Sequence, residues 1–420
     1  MAAAISQVPV LSPRIDIDGL IARQPRGRPL EQAFYADPDI FARDMDRLVG
    51  RLWLQVDHVS RIPEPGDYFL FRVGGEEMIV IRDKAGEIHA LFNVCRHRGS
   101  RICLATEGNR RLLACPYHAW TYDLDGRLKA ARHMPADFDP DDHALHRAHV
   151  HIFEGLIFIN LTDGAAPDFN AAYDIMRPYL VPQGLTRAKI AAKESYPTRA
   201  NWKLVVENFF ECYHCLSAHP EFCTAHTKAE IDGFGAGEYS GPKQAMDDFA
   251  SLLAEWEKRA AAMGHATGCF NDDEHSDFYR AAGRIPLKRG HLSETRDGKP
   301  VAPLMGDLRQ HDGGYTYVTF HPLVTLLMSN DHAVVFRFTP IEPLLTDVEL
   351  TWLVRDDALE GRDYDRDALT WFWDVTTRQD AKITEDNQAG VLSSRYRPGR
   401  YSEIEEGIDR IARWYLRRIS

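Results

Sequence analysis

Residues 95–124 read CRHRGSRICLATEGNRRLLACPYHAWTYDL, and they decide how the N-terminal half of the chain folds. Two donor pairs stand out, Cys95-x-His97 and Cys115-x-x-His118, with 17 residues between His97 and Cys115. Each pair suits the tip of a hairpin, so two loops at one end of a small β-domain can converge on one metal centre. Four such donors suit a tetrahedral zinc. A cysteine ahead of a histidine in both loops is also the order of a [2Fe–2S] cluster in which one iron takes two thiolates and the other two imidazoles. The run Pro116 to Tyr122, Pro-Tyr-His-x-Trp-x-Tyr, extends the pattern and favours the cluster. Cys103, between the pairs, fits neither pattern and reads as a core thiol.

Outward from these loops, Asp67 to about Leu161 is β-rich. DYFLFRV, EMIVIRD, EIHALFNVC, RLLACPYH and GLIFINL are separated by Gly, Asp and Asn turns. Before them, Asp37 to Trp53 carries apolar residues at helical intervals, with Pro38 acceptable in a first turn. Beyond them the texture is helical: RANWKLVVENFFECYHCLSAH reads as one helix ending at Pro220, whose ring disfavours helix before it. Thr224 to Gly313 is heterogeneous, an insertion or lid containing one helix from Lys243 to Met263. Strand-like runs return from Tyr315 to Arg355 and predict an antiparallel sheet. Two helices close the chain, Tyr364 to about Leu392 and Ser402 to Arg418, the second opened by a capping box from Ser402 to Glu405. The fold class is α+β. The boundaries read as an N-terminal segment, 1–45, packing on a catalytic domain at 166–420, with the cluster domain at 46–165 between them.

The chain has 420 residues and a formal charge of −12. That charge argues against nucleic acid or an anionic membrane as partner, since both need a dominant basic surface. No apolar run is long enough to span a bilayer and no secretory signal opens the sequence, so the cytoplasm is the expected location. Seven cysteines, an odd and sparse count, suit a reducing compartment. Arg96, Arg98, Arg101, Arg110 and Arg111 crowd the cluster loops. They form either a solvated face or a docking patch for an acidic electron donor. His133, His143, His146, His149 and His151 match no ligand spacing and read as a polar loop entering a strand.

A second site lies around residue 210. Asn208, Glu211 and His214 recur every three residues and would share a helical face. His219, five residues after His214, falls about 140° away on an ideal helix, so the two rings meet only where the helix loosens. Two histidines and a carboxylate make the facial triad that holds non-haem Fe(II) with positions open for O2 and substrate. Cys212-x-x-Cys215 has no βαβ surroundings; both thiols read as helix-packing residues, as do Cys223 and Cys269.

With Cys95, His97, Cys115 and His118 in one half and Glu207-Asn208 to His219-Pro220 in the other, the sequence resembles the α subunits of Rieske-type non-haem iron oxygenases over nearly its whole length. The resemblance implies a Rieske [2Fe–2S] cluster on the first set. It also implies a mononuclear Fe(II) on His214, His219 and an aspartate ahead of a Gln-x-Gly, for which Asp380 matches the spacing to Gln388 and Gly390 better than Asp386. Many members carry an aspartate three residues before the first histidine ligand; here it is Glu211. That departure, with Glu-Cys-Tyr-His-Cys and His-Pro-Glu, resembles the branch acting on quaternary ammonium compounds, above all glycine betaine and stachydrine demethylases.

What this resemblance implies is a homotrimer supplied with NAD(P)H electrons by a flavin/iron–sulfur reductase. Electrons would pass from His118 through Glu211 to His214 of a neighbouring subunit, with Asn208 beside the iron. The expected reaction is hydroxylation of an N-methyl group with release of formaldehyde. An aromatic-ring-hydroxylating dioxygenase is the alternative. A permanent cation calls for aromatic faces, and Phe209, Phe210, Tyr213, Tyr315, Tyr317, Phe320 and Phe336 are the candidates.

Overall fold

A computed structural model describes residues 15–233, 243–272 and 275–420. The start of the N-terminal segment, 1–14, and two stretches of the 224–313 region lie outside the described residues.

DYFLFRV pairs antiparallel with Glu76–Arg82 in a seven-stranded sheet that also takes in Leu54–His58, Ile88–Phe92, Glu107–Asn109, Arg147–Phe153 and Leu156–Asn160. Phe69, Phe71, Met78 and Val80 point to one core and Tyr68, Ile79 and Ile81 to another, so the paired strands are buried on both faces. A separate three-stranded sheet, Leu113–Ala114, Thr121–Tyr122 and Leu128–Ala130, carries the two cluster loops. His149 and His151 lie on the strand Arg147–Phe153 and His143 on a short turn, so the histidine-rich stretch is a loop entering a strand.

The catalytic half is built on a second seven-stranded antiparallel sheet, ordered 188–198, 345–355, 333–342, 324–328, 314–321, 281–286 and 268–271. The last two strands come from the 224–313 segment, so part of what reads as an insertion or lid is the sheet's own edge. Ala188–Thr198 was also absent from the sequence reading. Its alternation is blurred because Lys189, Ile190, Ala191, Lys193 and Glu194 are all only half-buried. The helix Lys243–Ala262 and the long helix Arg366–Val391 form as their periodicity predicts. In the capping box the Glu405 carboxylate accepts the Ser402 N–H at 2.6 Å.

One helical reading is corrected. The segment from Arg199 to His219 is not continuous: a helix runs Trp202–Phe209, the chain leaves it, and a short helix resumes at Cys215–Ala218. Asn201 caps the first helix, its side chain accepting the Lys203 N–H at 3.1 Å. Glu211 ends the regular pattern by accepting the Tyr213 N–H on its own carboxylate, an alternative to helical bonding.

The two halves are joined by buried charge. Asp57, in the first sheet, contacts both Arg61 and Lys193, and Lys193 reaches Glu349 at 2.9 Å, which in turn meets Arg337 at 2.6 Å. The Asp57 side chain is fully shielded. Removing one member of such a network strands the others' charge, so Asp57→Ala should lower unfolding stability by about 3–5 kcal/mol. Denaturant melts of wild type and variant, compared at equal slope, measure it.

The N-terminal segment docks on the catalytic half in the same fashion. Asp44, on the helix Pro38–Arg47, accepts from Trp202 Nε1 at 3.0 Å, Lys203 Nζ at 2.5 Å and Tyr415 Oη at 2.7 Å.

Candidate metal centres and cavity

The two cluster loops share one backbone design. In each, the residue four after the cysteine is left-handed and donates to the cysteine carbonyl: Gly99 at 2.9 Å with φ +77° and Ala119 at 3.0 Å with φ +59°. In each, the cysteine N–H then bonds the carbonyl of the next residue, Ser100 or Trp120, at 2.8 Å. Ala119 accepts a conformation disfavoured for a residue with a Cβ, a local cost of the kind that collects at functional loops. Cys95 and Cys115 are buried and face each other, while His97 and His118 lie outside them with their Nδ1 atoms 3.2 Å apart. Two thiols thus converge at one point and two imidazoles at another, the donor set of a two-iron cluster rather than of a single tetrahedral ion. Trp120 stacks on His97 at 4.9 Å, and Tyr122 donates to or accepts from Cys95 Sγ at 3.3 Å. Cys103 is a buried free thiol, its pKa pushed up by burial to about 11.

Of the five loop arginines, Arg101 is paired with Glu77 at 2.7 Å and Arg96 turns to His146 and the Asp142 carbonyl. Arg98, Arg110 and Arg111 are exposed, Arg98 lying over the Tyr117 ring.

At the second centre, the break after Phe209 lets His214 and His219 turn toward each other, their Nε2 atoms 3.1 Å apart. Asp380, on the long C-terminal helix, places Oδ1 2.8 Å from His219 Nε2 and 3.3 Å from His214 Nε2. Among the described residues these three form the one His/Cys/Asp/Glu group with every donor atom within 4.8 Å of the others. Asp386 is exposed and paired with Lys382, away from this set. Asn208 Nδ2 lies 3.2 Å from His214 Nε2, at the rim of the same point.

Each imidazole is held from behind. The Glu211 carboxylate takes His214 Nδ1–H, and Gln379 Oε1 takes His219 Nδ1–H at 2.9 Å. Both rings therefore present a bare Nε2 to the metal position. Gln379 is fixed in turn by Glu221, 2.9 Å from its Nε2. Burial disfavours a charged His214, but Asp380 and Glu211 outweigh it and push its pKa up to about 9, so the pocket favours a cation where the Nε2 atoms meet. The buried Gln388 accepts the Asn201 N–H at 2.8 Å and so ties the Asp380 helix to the cap of the helix leading to His214.

Gln379 and Glu221 escaped sequence reasoning, since no ligand motif includes them. Gln379→Leu should weaken iron binding about 10–100-fold while leaving cluster absorbance unchanged, as measured by metal analysis after dialysis.

Cys212 and Cys215 are joined as a disulfide across Tyr213 and His214, which corrects the expectation of two packing thiols. The break in the helix brings their side chains together. Cys269 is corrected as well: it is exposed and lies on the edge strand Gly268–Asn271, not on a helix.

A cavity of about 400 Å3 opens onto His214, His219 and Asp380. Phe209, Phe210, Tyr315, Tyr317 and Phe336 line it. Tyr213 does not; it is 63% exposed on the outer surface beside Glu211. Phe320 is buried in the core on the sheet's other side, against Phe158 and Tyr173.

Residues 52–151 match the model of the Rieske [2Fe-2S] domain, and residues 185–420 that of the ring hydroxylating alpha subunit catalytic domain. The chain belongs to the Rieske-type non-haem iron oxygenases. It is 39% identical to the glycine betaine monooxygenase oxygenase subunit of Chromohalobacter salexigens over 92% of this chain and 84% of that one. With the subunit of the same description from Pseudomonas aeruginosa it shares 36%, over 93% and 89%. A solved quaternary ammonium Rieske monooxygenase superposes with a TM-score of 0.71 at 22% identity, covering 97% of this chain and all of that one. This Rieske oxygenase therefore carries a [2Fe–2S] domain and a mononuclear iron domain, and its donor sets fit both groups. Among the described residues no helix is long and apolar enough to cross a membrane.

Proposed function

We propose that the protein is the oxygenase component of a quaternary-ammonium monooxygenase that removes an N-methyl group from a glycine betaine-like or stachydrine-like substrate. The observation that carries this reading is the aromatic-walled cavity opening onto His214, His219 and Asp380. Phe209, Phe210, Tyr315, Tyr317 and Phe336 offer π faces, a favourable contact for a cation without N–H groups. The relatives named for glycine betaine support the same class.

Cys95, His97, Cys115 and His118 would hold the cluster, and His214, His219 and Asp380 the iron. Reduced iron, when bound, supplies O2 activation: one oxygen atom enters an N-methyl C–H bond, the other leaves as water, and the N-hydroxymethyl group departs as formaldehyde. The chain's own residues set the conditions. Glu211 and Gln379 fix the two ring tautomers, Asn208 stands at the open side, and the aromatic wall excludes water from the reacting carbon.

A homotrimer is the assembly the family resemblance implies, and the exposed apolar residues near the two centres support a contact between copies. Exposed His118 lies against Tyr117, 57% exposed, with Leu104 exposed in the same half; Glu211 bonds the N–H of Tyr213, 63% exposed, with Leu216 exposed in the following short helix. Two apolar patches, one at each metal centre, suit a head-to-tail contact between copies. His118 of one subunit would then reach Glu211 of the next. A flavin/iron–sulfur reductase supplying NAD(P)H electrons would dock near Arg98, Arg110 and Arg111, and the cytoplasm, where that donor is made, is the location this implies.

A surrogate reductase with NADH, offered glycine betaine, stachydrine, carnitine, choline and simple arenes, tests the reading. Formaldehyde in step with NADH consumption on a betaine supports it. Diols from arenes with no formaldehyde from any quaternary amine would overturn it in favour of the ring dioxygenase.

A further inference from the structure

The iron site leaves three buried titratable groups of the same cavity unused: His226, Glu230 and Glu294, which are 3%, 6% and 0% exposed. His226 sits between the two carboxylates, Nδ1 3.5 Å from Glu230 Oε1 and Nε2 3.4 Å from Glu294 Oε1. Glu230 is well served: Tyr315 Oη donates to it at 3.0 Å, and the Thr227 N–H and hydroxyl both do so at 2.7 Å. Glu294 is not. Ser329 Oγ reaches Oε2 at 3.5 Å, while Oε1 has the His226 ring as its ion-pair partner and no hydrogen bond of good geometry, and the residue lines the cavity.

The charges around this cluster do not cancel. The carboxylates outweigh burial and push the His226 pKa up to about 9, so it counts as one cation against two anions. Beyond Glu294, His332 is paired with Asp331 at 3.1 Å and adds nothing net, while burial lowers His291 and keeps it neutral. One imidazole is thus held between two carboxyl groups in a buried, aromatic setting. Phe222 stacks on His226 at 4.0 Å and the Tyr315 edge meets it at 5.4 Å. Phe222 and Phe336 both pack on Trp373, seven residues before Asp380 on the same helix. The aromatic wall is continuous from the acidic cluster to the iron ligands.

We infer that Glu294, backed by Glu230 and His226, is the charge that selects a permanent cation in this cavity. A quaternary ammonium has no N–H to give, so what suits it is a carboxylate acting through charge at close range beside aromatic faces, without a directed hydrogen bond. A cavity for neutral arenes would carry the desolvation of that charge with no return. The assignment rests on the quaternary-ammonium reading and adds to the aromatic faces an anionic residue that sets specificity.

The test uses the metal-loaded enzyme and two probes of one shape, glycine betaine and tert-butylacetate, in which a tert-butyl group replaces trimethylammonium. Calorimetric titration should show wild type preferring the cation by about tenfold or more, which is ~1.4 kcal/mol. Glu294→Gln, nearly isosteric, should weaken betaine by about tenfold and leave tert-butylacetate within about twofold. An unchanged ratio between the probes, or equal weakening of both, overturns the assignment. If Glu294→Gln does not fold, as judged by melting and cluster absorbance, Glu230→Gln must narrow the ratio in the same direction, and equal wild-type affinities for the two probes overturn the idea without any variant. Failure of the parent reading looks different: wild type then demethylates no quaternary amine at all.

Discussion

His214→Ala is expected to abolish turnover while the purified protein keeps the visible absorbance and reduced EPR signal of its cluster. The ring donates one of the three atoms that meet within 4.8 Å, and alanine leaves His219 and Asp380 as a pair with Asn208 beside them. Losing a residue that merely orients a ligand costs about 10–100-fold in affinity or activity, and losing the ligand itself should cost more. The cluster loops share no residue with this centre, so their colour should persist. Bleaching of the variant would mean that the two centres are not independent.

Glu211→Ala should retain both metals and still lose about 10–100-fold in turnover. Its carboxylate holds His214 Nδ1–H and the Tyr213 N–H at once, and its side chain, 11% exposed, lies next to exposed Tyr213. Alanine frees the ring to rotate and removes the group placed to meet His118 of a neighbouring copy. Glu211→Gln should recover part of the loss, since an amide oxygen still accepts Nδ1–H. Single-turnover rates of electron transfer from pre-reduced cluster to iron separate this from a folding defect. Wild-type rates in Glu211→Ala would remove the carboxylate from the path.

Much of this was legible in the chain because ligand chemistry is local. Cys95, His97, Cys115 and His118 declare themselves through spacing, and the strands from Tyr315 to Arg355 through alternation. The position of Asp380 relative to Gln388 required the resemblance, since one carboxylate on a helix bearing Asp374, Glu385 and Asp386 has no distinguishing period. What escaped notice are contacts fixed by tertiary placement alone. Gln379 meets His219 across 160 positions, and Glu294 meets His226 across 68. The Arg199–His219 run looked like an unbroken helix because its propensities are helical; it breaks because Glu211 bonds locally and two rings must share one point. Tyr213 and Phe320 are cavity candidates by the segments they belong to, yet one faces outward and the other the opposite side of the sheet, a difference that residue type does not encode.

Separate stretches of chain build the cavity. The proposed iron donors lie at 214–219 and at position 380, whereas the edge strands 268–271 and 281–286 and the loop holding Glu294 belong to the segment between them. Phe209, Phe210 and Trp373 of the aromatic wall belong to the same stretches as the donors, whereas Glu294 does not. Exchange of the sheet's edge and the loop after it would alter the charge and shape of one side of the cavity while leaving the atoms of His214, His219 and Asp380 in place.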